Sequence, residues 1–256
     1  MTYETLTLEK QAPIARIWLD RPERRNALSG LALEEIRLVF EELQTSFDTS
    51  VVVLGGRGIS FCAGADRKDP PGRIDAPTGL ERERRYVAQA GKRAVEAIER
   101  CDAITIARVH GHAIGGGFLL AGACDFRIAS RRTIFAVPEV DLGIPLTWGG
   151  VPKLAHLVGP ARAKEIILLC ERFDAETAER YGFLNRVVEE EELDTLVDSW
   201  ASRLAAKPEW ALHMSKTQFR GYAQRSVLGD LTEGDGDLLL RASAQDPTRF
   251  RFPGEG

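Results

Sequence analysis

Apolar and polar residues alternate at the start of the chain. YETLTLEK (3–10) and IARIWLD (14–20) both have a period of two, and residues 11–13 lie between them, so the pattern predicts a hairpin. RPERRNALS then closes the second strand. Ser29 stands as a candidate N-cap before LALEEIRLVFEELQTSF, whose apolar residues fall at helical spacing. VVVLGG (51–56) is a short, fully apolar run, as expected of a strand covered on both faces, and AITIARVHG (103–111) reads as another buried strand. Between them, KDPPGRIDAPTGL (68–80) reads as a loop and ERERRYVAQAGKRAVEAIERC (81–101) as one long amphipathic helix. A helix is expected after the glycines at 115–117, then short strands in DFRIAS and TIFAV. Helices are expected in GPARAKEIILLC and DAETAERYG, with a strand in LNRVV. From Glu190 onward the pattern is helical, in EELDTLVDSWASRLAAK, PEWALHMSKTQFRGYAQ and SVLGDLTEGDGDLLLRASA. Strands alternating with helices, followed by a helical tail, predict the α/β class.

Composition narrows the partners. The 256 residues suit one large domain or a domain with a modest appendage. A net charge of −4 gives no general attraction to nucleic acid or anionic membrane, and no run of about 20 apolar residues predicts a membrane span. Cys62, Cys101, Cys124 and Cys170 are widely spaced and form no CxxC pair, so they read as buried free thiols in a reducing compartment. With no signal-like start, the expected location is cytoplasmic. GGRGIS lacks the dinucleotide-binding spacing and no phosphate-binding P-loop occurs. No GxSxG elbow occurs, and neither Ser60 nor Ser130 has a histidine nearby in sequence.

The candidate chemistry lies in two stretches. HAIGGGFLLAGACDF (112–126) has three glycines opening an apolar helix, whose first N–H groups lack partners inside the helix and attract a negative oxygen. FCAGADRKD (61–69) also follows a buried strand and also has small residues where that strand ends. Two such exits can aim two backbone N–H groups at one oxygen, the arrangement of an oxyanion hole. Close packing of strand against helix is the other use of the same glycines.

These stretches, taken in order with RPERRNALS, VVVLGGRGISFCAGADRK, FAVPEVDLGI and GPARAKEIILL…AERYGFLNRVV, resemble the crotonase superfamily, the enoyl-CoA hydratase/isomerase family, over about residues 3–220. The resemblance implies a superhelix of ββα units over residues 1–195 carrying a CoA-thioester site. It also implies a helical C-terminal region over 196–256 that builds a homotrimer, or a hexamer as a dimer of trimers. The implied ligand is an acyl-CoA or enoyl-CoA. By motif position the oxyanion hole falls to the N–H groups of Ala65 and Gly116, and the catalytic base to Glu139 in VPEVDLG. The resemblance implies no cofactor beyond the CoA of the substrate and no metal. His110 and His112 lack a nearby acidic or cysteine cluster with ligand spacing.

Hydratases of the family use a second glutamate two places after the glycine triplet, and that place here is Leu119, which cannot handle a proton. Thr147, eight residues after Glu139, stands where dienoyl-CoA isomerases and chlorobenzoyl-CoA dehalogenases carry an aspartate. One base beside an oxyanion hole implies a Δ3-Δ2-enoyl-CoA isomerase; hydratase activity and non-catalytic acyl-CoA binding are the alternatives. Apolar neighbours around Glu139 are expected to raise its pKa. Asp141 reads as a structural aspartate near a turn, and Trp148 as core or pocket wall. For substrate binding, the resemblance and local chemistry point to Arg24, Arg25, Arg67 and Lys68 for the CoA phosphates. They point to Ala27, Ala63 and Asp66 for adenine and pantetheine, and to His112, Ile114, Gly115, Leu119, Pro138 and Leu142 along the slot. The 68–80 loop is expected to border the acyl pocket.

Overall fold

The computed structural model describes residues 2–71 and 80–226. Most of the 68–80 loop and the last expected helix, beyond residue 226, lie outside the described residues. The hairpin forms as predicted: β1 (Leu6–Gln11) pairs antiparallel with β2 (Ile14–Leu19). From β2 the sheet grows by parallel addition of β3 (Val51–Gly56), β4 (Ile104–Val109), β6 (Phe126–Ser130) and β9 (Arg186–Val188). Val52, Leu54, Ala107 and Val109 face the main core, while Val51, Val53, Ile106 and Ile128 face α7 (Leu193–Ala205). Burial on both faces is why β3 is apolar without interruption.

A second, narrower ladder runs beside the sheet. β5 (His112–Ile114) pairs parallel with β7 (Ile134–Ala136), which pairs antiparallel with β8 (Phe173–Asp174). Single bridges extend it, Cys62 to Ala113 and Leu28 to Ala65. Successive chain segments therefore lay a long strand in the first sheet and a short one in the second before a helix returns. This is the ββα repeat expected from the sequence.

The helices cover the strands. α1 (Gly30–Gln44) starts where expected, with the Ser29 hydroxyl accepting from the Ala32 N–H at 3.2 Å. The 81–101 segment is two helices rather than one: α2 (Glu81–Ala88) and α3 (Ala90–Arg100) meet at Gln89, with φ −93° and ψ 7°. Two residues on, Gly91 gives up its side chain to the indole of Trp148, a tertiary contact that local periodicity does not carry. α4 (Gly116–Ala123) begins within the glycine triplet rather than after it. α5 (Gly150–Leu169) begins nine residues before the expected start at Gly159, and bends at that glycine (φ 79°, ψ 156°) just ahead of Pro160. Pro152 sits in its first turn, where a missing N–H costs nothing. α6 (Ala175–Arg180) is capped by Asp174, whose carboxylate accepts from the Thr177 N–H.

The expected division at 195–196 falls inside α7, which packs Leu193, Val197 and Ala201 on the sheet. α8 (Glu209–Ser226) is tied to the core by Lys216, whose buried ammonium lies 2.7 Å from both the Ala103 carbonyl and the Asp125 carboxylate. No helix of the described residues is long and apolar enough to cross a membrane.

Candidate active site

The two small-residue exits lie side by side. Cys62 and Ala113 bridge in parallel: the Cys62 N–H donates to the His112 carbonyl and the Ile114 N–H to the Cys62 carbonyl. Three residues further along each chain stand Ala65 and Gly116. Contact persists between them, since a Cβ on Gly64 would meet the Ile114 carbonyl oxygen at 2.9 Å. On its other side, the 64–66 segment is held by Leu28. The Leu28 N–H donates to the Gly64 carbonyl and the Asp66 N–H to the Leu28 carbonyl, both at 2.8 Å. In a parallel bridge these flanking groups make the bonds, so the N–H of Ala65 itself points away from Leu28. Ala65 is exposed. Gly116 is the first residue of α4, where a backbone N–H has no acceptor within the helix.

The three glycines each admit a different group. Gly115 adopts φ 50° and ψ −115°, and a Cβ there would stand 2.6 Å from Oε1 of Glu139. On Gly116 it would stand 2.4 Å from Cζ3 of Trp148, and on Gly117 2.7 Å from Cβ of Cys62. Close packing and bare backbone are thus one device: the absent side chains let a carboxylate and an indole settle against the helix start.

Glu139 lies in a turn, closed by the Leu142 N–H on the Pro138 carbonyl and the Ile144 N–H on the Glu139 carbonyl. The residue is half-buried, but its Oε2 is shut off from solvent and has no hydrogen-bond partner. Desolvation by burial raises the pKa to about 7, although a bond from the residue's own backbone N–H opposes it. A carboxylate tuned to that value can take and return a proton near neutral pH. Asp141 sits in the same turn and is exposed. Leu119 is 3% exposed, and together with Leu146 it packs on Gly150. Thr147 is buried, and Trp148 lies in the main core.

The remaining expected residues distribute along the two stitched segments 21–28 and 60–69. Arg24, Arg25, Arg67 and Lys68 are all exposed, and Ala63 donates its N–H to the Arg25 carbonyl, which joins the two segments. Ala27, His112, Ile114 and Pro138 are half-buried, Gly115 is buried, and Leu142 is exposed in the Glu139 turn. Asp66 is expected to meet the CoA through its backbone, and its side chain is fully engaged within the protein. Oδ2 pairs with Arg21 at 2.8 Å, and Oδ1 accepts from the Lys68 and Asp69 N–H groups. These donors hold the carboxyl below the usual carboxylate range, although burial opposes them.

Two further residues, not singled out from sequence, complete the scaffold. Arg21 also donates to the Ala27 carbonyl at 2.5 Å, and Asn26 donates to the carbonyls of Arg57 and Ser60. Both lie in RPERRNALS, so the motif marked the place without marking the roles. Ser60 has a histidine partner after all, its Oγ lying 3.1 Å from Nδ1 of His112. The hydroxyl is fully buried and holds the ring; the 52-residue separation left no local signal. Among the described residues no group of three or more His, Cys, Asp or Glu is placed to hold a metal ion.

Comparison with known proteins agrees with this architecture. The family model described as enoyl-CoA hydratase/isomerase matches residues 9–249. A crotonyl-CoA hydratase of Syntrophomonas wolfei is 36% identical over 218 residues, covering 84% of this chain and 81% of that protein. A peroxisomal Δ(3,5)-Δ(2,4)-dienoyl-CoA isomerase of Arabidopsis thaliana is 32% identical, covering 84% and 80%. A Thermobifida fusca protein assigned as an enoyl-CoA hydratase, crystallised in complex with CoA, superposes with a TM-score of 0.78 at 32% identity, covering 94% and 93%. The chain belongs to the enoyl-CoA hydratase/isomerase family, and its fold is that of the crotonases.

Proposed function

We propose that the protein is a Δ3-Δ2-enoyl-CoA isomerase with Glu139 as its single base. The observation that carries this reading is one desolvated carboxylate against Gly115, with leucine at 119 where a second acid would stand. In the proposed reaction the thioester oxygen accepts from the N–H groups of Ala65 and Gly116. Glu139 removes a proton from C2 of a 3-enoyl-CoA. The C3–C4 electron pair and the thioester share the charge as a dienolate, which the two N–H dipoles favour over the ground state. The same carboxyl group then returns the proton at C4, leaving a 2-enoyl-CoA. No cofactor enters beyond the CoA of the substrate. Arg24, Arg25, Arg67 and Lys68 would meet its phosphates, and Ala27 and Ala63 its adenine and pantetheine.

The test offers the protein trans-3-hexenoyl-CoA and, separately, crotonyl-CoA. Conversion of the first to its 2-enoyl isomer without hydration of the second is expected. Rapid hydration of crotonyl-CoA would instead favour the second reading, a hydratase, to which the Syntrophomonas relative's name points. If neither changes while an acyl-CoA raises the melting temperature, the protein is a binding module.

We further propose a homotrimer or a dimer of trimers. Support comes from Trp210 and Phe219 on α8, which are 77% and 74% exposed in the single chain. A monomeric mass by light scattering would refute this. The four cysteines are buried and free, which fits a cytoplasmic location; recovery of the protein in an oxidising compartment would count against it.

A further inference from the structure

Trp148 is built into its place more firmly than core packing requires. Its backbone is left-handed, with φ 59°, followed by Gly149 at φ 71°. For a bulky residue that conformation is strained, and such strain persists only where surroundings enforce it. The indole is clamped between two helices that have each surrendered a side chain. A Cβ on Gly91 of α3 would stand 1.8 Å from its Cε2, and one on Gly116 of α4 would stand 2.4 Å from its Cζ3. Leu28 reaches the same spot, 3.1 Å from the missing Gly116 Cβ. A flexible side chain could step aside for a ligand; an indole pinned on both sides cannot.

The indole packs on Gly116, and the base on its neighbour Gly115. Given the reading above, the substrate's carbonyl oxygen is held at Gly116 and its C2 to C4 atoms lie at the Glu139 carboxylate over Gly115. The rest of the acyl chain must then leave a surface whose next neighbour is the indole, with Leu119 and Leu146 packed around Gly150 beyond it.

We propose that Trp148 closes the acyl pocket and is the residue that restricts this protein to short-chain acyl-CoA substrates. The proposal rests on the acyl-CoA reading but not on the chemistry performed, so binding tests it without turnover. Hexanoyl-CoA and decanoyl-CoA, both saturated, are titrated into the wild type and into Trp148→Ala by calorimetry. In an open apolar pocket each added methylene tightens binding about fourfold. The wild type should therefore gain nothing from the four extra carbons, and the variant should bind decanoyl-CoA at least tenfold tighter relative to hexanoyl-CoA. Trp148→Leu provides the same comparison if the alanine variant does not fold. Decanoyl-CoA binding the wild type many-fold tighter than hexanoyl-CoA would overturn the inference, as would an unchanged ratio in a folded variant. If the wild type bound neither ester, the acyl-CoA reading itself would fall, and this inference with it.

Discussion

The two strand exits that meet at the site hold their backbones by opposite means. Around Ala65 the holding is polar. One carboxylate, Asp66, joins Arg21 and two backbone N–H groups, while Leu28 pins the peptide groups on either side. Around Gly116 the holding is steric. No side chain caps the helix; beyond the Gly115 N–H bond to the Ala136 carbonyl at 2.8 Å, the backbone is fixed by what occupies the space of three missing Cβ atoms: Glu139, Trp148 and Cys62. The difference follows from position. At the first exit Ala65 is exposed and the buried Asp66 beside it is paired with Arg21, whereas the second exit is buried and an additional charge there would need a partner. Glu139 is the charge brought to the buried exit, and desolvation by burial is the source of its raised pKa.

If that contrast is correct, the steric exit should be the more brittle. Gly116→Ala drives a methyl group into an indole that cannot retreat, because Gly91 backs it. A loss of a hundredfold or more in kcat/KM is expected, with a cost of about 1–3 kcal/mol in chemical denaturation. Wild-type kinetics in this variant would show that the indole yields. At the polar exit, Asp66→Ala leaves a half-buried guanidinium and two N–H groups without their acceptor. About 2–4 kcal/mol of stability should be lost, measured by urea unfolding; a change below about 0.5 kcal/mol would mean that the Leu28 bonds suffice alone.

The smallest effect has the opposite sign. Burial lifts the folded-state pKa of Glu139 from 4.5 to about 7, so between those values the folded chain binds more protons than the unfolded one. Wild-type stability should therefore fall as pH rises through that window and level off above it. Glu139→Gln removes the buried charge and should be more stable than wild type by about 1–2 kcal/mol at pH 8, with little difference at pH 4. Parallel thermal melts at the two pH values check this. An equal difference at both would show that the carboxylate is not desolvated.

Much of this was legible in the chain, for physical reasons that differ by residue. β3 declares itself because burial on both faces demands an uninterrupted apolar run, and Ser29 because a cap is a local bond. The expected pKa rise of Glu139 needed only apolar neighbours in sequence, although Val140 and Leu142 prove exposed and the desolvation comes from the turn and the glycines. Contacts between distant segments were not legible. The break at Gln89 and the clamp on Trp148 depend on Gly91, Gly116 and residue 148 meeting in space. Asp66 and Arg21 are 45 residues apart, and nothing local tells that the carboxylate is spent on the fold.

The central claim is that one desolvated carboxylate moves the proton. It is tested most directly by the pH dependence of trans-3-hexenoyl-CoA isomerisation, measured in wild type and Glu139→Gln. In wild type, kcat/KM should rise with pH, inflect near 7 and then level off, following the ionised fraction of Glu139. Glu139→Gln should lose about 10²–10⁴-fold in rate and the inflection with it, while still binding the ester. Turnover that survives the substitution, or an inflection in the ordinary carboxylate range, would contradict the account.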